Sequence, residues 1–227
     1  MPLLKRRTRH FDVPVQDMLL RISGPEELYE EARAAGMQFW EQIQSYAIRH
    51  PGFQSTKRPL SVPEDAPEIV RQMAAQTGLA GVGPMFAFRG ALTEFVGRKL
   101  GTSLGEVIVT CGGDHYVVSN KRARLGLRGG GGQGMAVVIK PELGPQGIFS
   151  SLDPAQRDPE MAEGLVVVAR SCILADAAAA AATAILTKPN SFRPALGYLR
   201  RLPGVHGALV VRGEHIGVAG ALELAAM

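Results

Sequence analysis

The segment Ser171 to Ile185 contains six consecutive alanines, Ala177 to Ala182, directly after one carboxylate, Asp176. Alanine is the strongest helix former and ends in a methyl group, so a helix is predicted from about Ile173 to just before Lys188-Pro189. Such a helix can lie unusually close to a sheet or a neighbouring helix, because little side chain holds the two apart. The same closeness makes Asp176 costly to bury without compensation. A cation, a set of backbone donors or an arginine such as Arg89, and open solvent are the three environments that would satisfy it.

A second segment, Val107 to Val118, is an apolar β run broken by Gly112-Gly113-Asp114 and reads as strand, turn, strand. Around these two anchors the chain reads as mixed α and β. Val13 to Ile22 has strand composition, and Glu26 to Arg49 has the length and composition of one long helix ended by His50-Pro51-Gly52. A short helix is predicted from Glu68 to Gln76, stopped near Gly78, and another from Phe86 to Leu100. Gly134 to Lys140 and Leu165 to Ala169 read as strands, with Pro141 to Gly164 irregular between them. Gly129 to Gly132 reads as a hairpin tip, since no Gly-Lys-Ser/Thr follows to make a phosphate loop.

Ala208 to Val211 and His215 to Ala219 read as a closing hairpin around Arg212-Gly213-Glu214. Written above one another, Gly113-Asp114-His115 and Gly213-Glu214-His215 align glycine, acid and histidine at an offset of 100. Each hairpin follows a helix rich in small residues. The expectation is one domain over residues 1–227 with an internal duplication, its related hairpins near 107–118 and 207–218.

Composition limits the classes of function. At 227 residues and 46% hydrophobic the chain can bury a sizeable core. Of its 25 Lys and Arg, four cluster at Lys5, Arg6, Arg7 and Arg9 and equal the formal net charge of +4; the remainder match the 21 acidic residues. A near-neutral body does not suit a specific nucleic-acid binder, and the basic end reads as a solvated terminus. No window has the length and apolarity of a membrane span, and no signal-peptide core follows the basic start, so a cytoplasmic protein is expected. Cys111 and Cys172 are the only cysteines and read as buried free thiols.

Several motifs in order carry a family resemblance: Pro51-Gly52-Phe53 with Pro59-Leu60, Gly81 to Met85, Gly90 to Glu94, Val107 to Val109 with Gly112-Gly113-Asp114, Gly147-Ile148 with Ser150-Ser151, and Leu174 to Ala178. In these the chain resembles a small cytoplasmic family of ApbE-like proteins of unknown function, related to flavin transferases that move FMN from FAD to a target protein. The resemblance implies an α+β fold of two T-fold-like halves, antiparallel sheets with helices packed on one side. It also implies a flavin or small-nucleotide cleft between the halves, with Gly112, Gly113, Asp114, Ser150 and Ser151 as cofactor-binding candidates and FAD or another flavin nucleotide as ligand.

The transferases use a magnesium ion, and the resemblance makes Asp176 the metal candidate. It also calls for a threonine one helical turn later, where this chain has Ala180. Thr183 is no substitute, because seven residues carry it about 10.5 Å along the helix axis. One carboxylate alone is a poor octahedral site, which argues against Mg2+. Phe86, Phe88 and Arg89 stand where relatives carry small residues, and their bulk is expected to take up ligand space. No catalytic residue is assigned: His115 and His215 read as strand histidines, Asp114 and Glu214 as turn residues, Cys111 as a buried thiol. Three functions follow as alternatives: a flavin- or nucleotide-binding protein with a degenerate transferase site, an active Mg2+-dependent FMN transferase, and a non-enzymatic homo-oligomeric assembly protein.

Overall fold

The computed structural model describes residues 10–127, 135–152, 164–212 and 215–226. A first hairpin, β1 (His10–Val15) and β2 (Met18–Ser23), leads into the helices α1 (Tyr29–Arg49), α2 (Pro51–Ser55), α3 (Glu68–Ala80) and α4 (Phe88–Leu104). A second hairpin, β3 (Val107–Cys111) and β4 (Asp114–Val118), follows. After it come β5 (Ala123–Leu127), β6 (Met135–Ile139), β7 (Gln146–Ser150) and β8 (Gly164–Ala169). Two helices, α5 (Cys172–Leu186) and α6 (Phe192–Arg201), precede β9 (Val205–Arg212), β10 (His215–Gly220) and the short β11 (Leu224–Ala226).

Eight strands form one antiparallel sheet in the order β1-β2-β3-β4-β7-β8-β9-β10. Its first four strands enclose α1 to α4 in sequence and its last four enclose α5 and α6, so hairpin, helices, hairpin occurs twice. The halves meet where β4 pairs with β7, with Asp114 opposite Phe149 and Tyr116 opposite Gly147. The helices pack on one face, as expected of this α+β class. The other face is not bare, however, because β11, β6 and β5 form a second, three-stranded sheet. Val117, Ile148, Val166, Val168 and Leu209 of the large sheet meet Leu127, Val137 and Ile139 of the small one. With both faces covered, β8 is buried at all six positions, which is why Gly164–Ala169 shows no polar alternation.

The short α2, β5 and β11 were not expected from the sequence, and three further departures have a local cause. The segment taken as irregular contains β7, a central strand whose Gln146 and Gly147 hide its character. Phe192–Arg201, unassigned by pattern, is helical despite Pro194, which falls in the first turn where backbone N–H groups have no intrahelical acceptor. The helix expected to stop near Gly78 continues to Ala80 and ends at Gly81, whose φ of 78° only glycine adopts without strain. The Gly129–Gly132 tip and the turn residues Gly213 and Glu214 lie outside the described residues.

At the centre lies α5, flanked by α3, α4 and α6 and by β7 and β8. Its first eight residues, Cys172 to Ala179, are all buried. Its first turn presses on β7 so closely that a Cβ on Gly147 would stand 2.1 Å from the Cys172 nitrogen, and a Cβ on Gly90 of α4 would stand 2.6 Å from the Cys172 carbonyl oxygen. No water can reach the free N–H groups of this buried helix start. Glu94 of α4 satisfies them instead: its Oε2 accepts from the Ser171 hydroxyl at 2.7 Å, Cys172 N–H at 2.8 Å and Ile173 N–H at 3.2 Å. Arg98 pairs with its other oxygen. A carboxylate at a helix N-terminus is also favoured by the helix dipole.

Glu94→Ala is expected to cost about 3–5 kcal/mol, because it strips several buried donors and a charge partner at once. Gly147→Ala should cost roughly 3 kcal/mol or more, since the obstructing atoms are backbone. Urea denaturation of the purified variants measures both; a Glu94→Ala loss below about 1 kcal/mol would contradict the capping role.

Candidate functional site

Three strand and helix ends converge where α4 and α5 cover the β4–β7 junction. Asp114 opens β4 and points to the helical face, in the same alternation as Tyr116. It is fully buried, and among the described residues neither of its carboxyl oxygens has a hydrogen-bond partner. The nearest cation is Arg89, whose Nε lies 3.9 Å from Oδ2, too far for a hydrogen bond. The reading of Asp114 as a polar turn residue is therefore corrected: the turn is formed by Gly112 and Gly113, and the acid behind it is carried into the core.

Asp176 approaches from α5. It accepts one hydrogen bond, from the Gly90 N–H to Oδ2 at 3.0 Å, and only 7% of its surface reaches solvent. Of the environments open to it, a backbone donor is the one realised. Burial pushes its carboxyl up to about 7, against the opposing effects of the Gly90 N–H and the Arg89 charge. Asp114 is raised well above the usual carboxylate range, first by burial and then by the charge of Asp176, with Arg89 acting in the other direction. The two acids thus sense one another, and a single half-exposed arginine serves both. No local pattern pairs positions 114 and 176; only the family resemblance leads one to expect both around one groove. Glu94, a few residues along the same interface, received no role from sequence reasoning, although its place in the Gly90 to Glu94 motif was the available signal.

Beside the pair opens a cleft of about 590 Å3, lined by Trp40 and Gln44 of α1, Asp17 and Met18 of the first hairpin, Met85, Phe86, Phe88 and Arg89 around the start of α4, and Asp176. The bulky residues around the start of α4, Phe86, Phe88 and Arg89, were expected to occupy ligand space. They form the wall of the cleft instead. Trp40, the chain's single tryptophan, had no assigned role, because none of the recognised motifs falls within α1.

The other candidates divide between structure and site. Gly112 takes a φ of 60°, which a turn of this kind requires. Gly113 is excluded from carrying a side chain by the Ser150 carbonyl oxygen, 2.3 Å from where its Cβ would be, and its own carbonyl accepts from Ser150 N–H at 2.8 Å. Ser151 accepts from Leu165 N–H at 2.9 Å and Ser150 from Leu152 N–H at 3.3 Å, so both hydroxyls hold backbone. These four residues adjoin Asp114 through the turn and the β4–β7 pairing, and the contacts described are made within the chain. Cys111 is buried, and burial together with the nearby Asp114 pushes its thiol up to about 12, which makes it inert. His115 lies on the opposite sheet face, its Nδ1 3.0 Å from the Thr110 hydroxyl, and burial lowers it to about 4. His215 sits exposed on the edge strand β10 against Phe192. Among the described residues no three His, Cys, Asp or Glu side chains come together as a metal cluster.

Comparison with known proteins agrees with this fold. The sequence pattern of the family described as AbpE bacteria matches residues 2–195. A UPF0280 protein of Methanocella arvoryzae is 30% identical over 188 residues, covering 80% of this chain and 76% of its own. Another, from Methanothrix thermoacetophila, is 30% identical over 207 residues, 88% of this chain and 86% of its own. Among solved structures, the apo form of the Pseudomonas stutzeri flavinyl transferase ApbE superposes with a TM-score of 0.57 at 14% identity, covering 96% of each chain. The ApbE protein of Thermotoga maritima does so with a TM-score of 0.60 at 11% identity, again over 96% of each. At such identities the structural likeness is one of fold. Among the described residues no helix is long and apolar enough to cross a membrane.

The raised carboxyls make stability depend on pH with a definite sign. Each contributes stability that is fully present below the unfolded value of about 3.9 and is lost as pH rises through the folded value, about 7 for Asp176. Asp114→Asn removes one of the acids and its repulsion of the other. Compared with the wild type by urea denaturation at each pH, it should show an advantage that grows between pH 4 and pH 8 and exceeds about 1 kcal/mol at the upper end. A difference that does not vary with pH would mean that Asp114 is not a raised acid.

Proposed function

The chain belongs to the AbpE bacteria family, and from that premise we propose that it binds a flavin nucleotide in the cleft beside Asp176, with a degenerate transferase site. The observation that carries this reading is the cleft itself. At about 590 Å3 it falls in the range of small-molecule sites, and Trp40, Phe86 and Phe88 offer aromatic surface to a planar ring system. Arg89 stands at the same wall with 54% of its side chain exposed, free to meet a phosphate with its guanidinium. In this reading Gly112, Gly113, Asp114, Ser150 and Ser151 shape the floor of the site and need not touch the ligand. The one domain is taken to be a duplication of a hairpin, helices, hairpin unit, with the cleft in its first half beside the junction.

The flavinyl transferase named among the structural neighbours shares the fold, and transfer of FMN from FAD remains the second reading. Ala180 weighs against it, since it supplies no hydroxyl beside Asp176; the buried Asp114 weighs for it. A third reading, self-assembly, draws on Ile216 and Val218, which stand 70% and 52% exposed on the edge strand β10. Light scattering of the purified chain tests that independently.

Trp40 makes the primary reading directly measurable. Titration with FAD or FMN should quench its fluorescence saturably with a micromolar Kd, and Arg89→Ala should weaken binding by about tenfold, the scale of a lost charged contact of about 1.4 kcal/mol. FAD incubated with the protein and a Thr- or Ser-containing acceptor peptide should leave the peptide mass unchanged. Absence of quenching by any flavin would remove the proposal, and a peptide gaining the mass of FMN would replace it with the transferase.

A further inference from the structure

The two edges of the eight-stranded sheet are built differently. At one edge β1 turns Asp12 and Pro14 to solvent, a charged residue and one without an N–H, and both discourage a further strand from pairing there. At the other edge β10 pairs with β9 along its whole length, from His215 opposite Arg212 to Gly220 opposite Gly207, and it contains no proline, acid or lysine. Among the described residues no strand lies on its outer side, so alternate N–H and C=O groups point outward in a row. On the face of the small sheet, Ile216 and Val218 continue the apolar surface of Val211 and Leu209 and stand 70% and 52% exposed.

The helical face of the same edge is cationic. Helix α6 runs beside β10: Phe192 lies against His215 with ring centroids 5.8 Å apart, and Leu196 covers Gly217. Arg193 near the start of α6 and Arg200 and Arg201 at its end are thereby spread along the strand, with Lys188 before the helix and Arg212 opposite His215. From Ala177 to Arg212 the chain contains these five cations and no acid, and among the described residues none of them is paired with a carboxylate. Arg212 donates to the Ser191 hydroxyl at 3.1 Å instead. A second copy added edge to edge through a two-fold axis would set these cations against their own equivalents.

We propose that β10 is the docking edge for an acidic, extended segment of a partner protein, which adds to the sheet as a further strand. Side chains alternate between the two faces of such a strand, so every second one meets the face of Ile216 and Val218 and is apolar, while those between lie toward α6 and are Asp or Glu. Main-chain hydrogen bonds then supply affinity, and the cations of α6 reject a basic strand of the same apolar pattern. The cleft beside Asp176 takes no part, and the proposal stands independently of the flavin reading.

The probe is a fluorescein-labelled peptide alternating Glu and Val, titrated with the full-length chain and followed by anisotropy. Saturable binding with a micromolar Kd is expected, weakening as salt is raised, together with slower amide hydrogen exchange in His215–Gly220. The double variant Ile216→Ser, Val218→Ser and the double variant Arg193→Gln, Arg200→Gln should each weaken binding by about fivefold or more, with far-ultraviolet circular dichroism unchanged. Arg49→Gln, on the helix that packs against β1 at the opposite edge, should leave it unchanged. A peptide alternating Lys and Val should not bind. No binding of the acidic peptide, equal binding of the basic one, unchanged exchange in β10, or arginine variants within twofold of the wild type overturns the proposal. Capture of the chain by phosphatidylglycerol vesicles or single-stranded DNA in place of the peptide would reassign the cations, and a dimer that the Ile216→Ser, Val218→Ser variant dissolves would make a second copy the occupant; either result overturns it as well.

Discussion

The capping of a buried helix by Glu94 is the interaction on which the rest of the site depends. The helix α5 starts inside the protein, against a glycine of β7 on one side and a glycine of α4 on the other, so its first N–H groups have no route to water. One carboxylate from α4 takes two of them and the Ser171 hydroxyl. That contact fixes α4 on α5 and both on the sheet. Asp176, one turn further along α5, is thereby set beside the start of α4, and its bond to the Gly90 N–H follows from the same approach.

Three acids at one interface illustrate how environment decides the role of a side chain. Glu94 meets a helix N-terminus, a hydroxyl and Arg98, and its charge is fully compensated. Among the described residues Asp176 meets a single backbone donor, and Asp114 meets none. A protein core tolerates uncompensated acid rarely, because desolvation of a carboxylate is among the larger single costs in folding. Two such groups together next to a cleft mark the proposed ligand site. The inert Cys111 and the neutral His115 beside them belong to architecture.

Much of the framework was legible along the chain. The alanine run marked α5, the Gly112-Gly113 turn marked the β3–β4 hairpin, and the ordered motifs identified the family and its fold. Where the reading failed, the local pattern was weak for a physical reason. Gln146 and Gly147 disguised β7, because a strand buried under a helix needs a residue without a side chain more than it needs β-branched bulk. Pro194 disguised α6, although a first-turn proline removes no helical hydrogen bond. The small sheet on the far face left its trace in the unbroken apolar run of β8, whose second cover could not be identified from β8 itself.

Periodicity, propensity and turn chemistry act between residues near one another in the chain, so the sequence alone determined most of the secondary elements, the close-packed helix and the demand that Asp176 find compensation. The partner that met each demand was decided by the tertiary structure. Asp114 and Asp176 belong to different halves, and their repulsion exists only because β4 pairs with β7 and α5 lies across that junction. Trp40 reaches the same cleft from α1. Electrostatic coupling and ligand contact depend on separation in space, and separation in space is what local sequence does not encode.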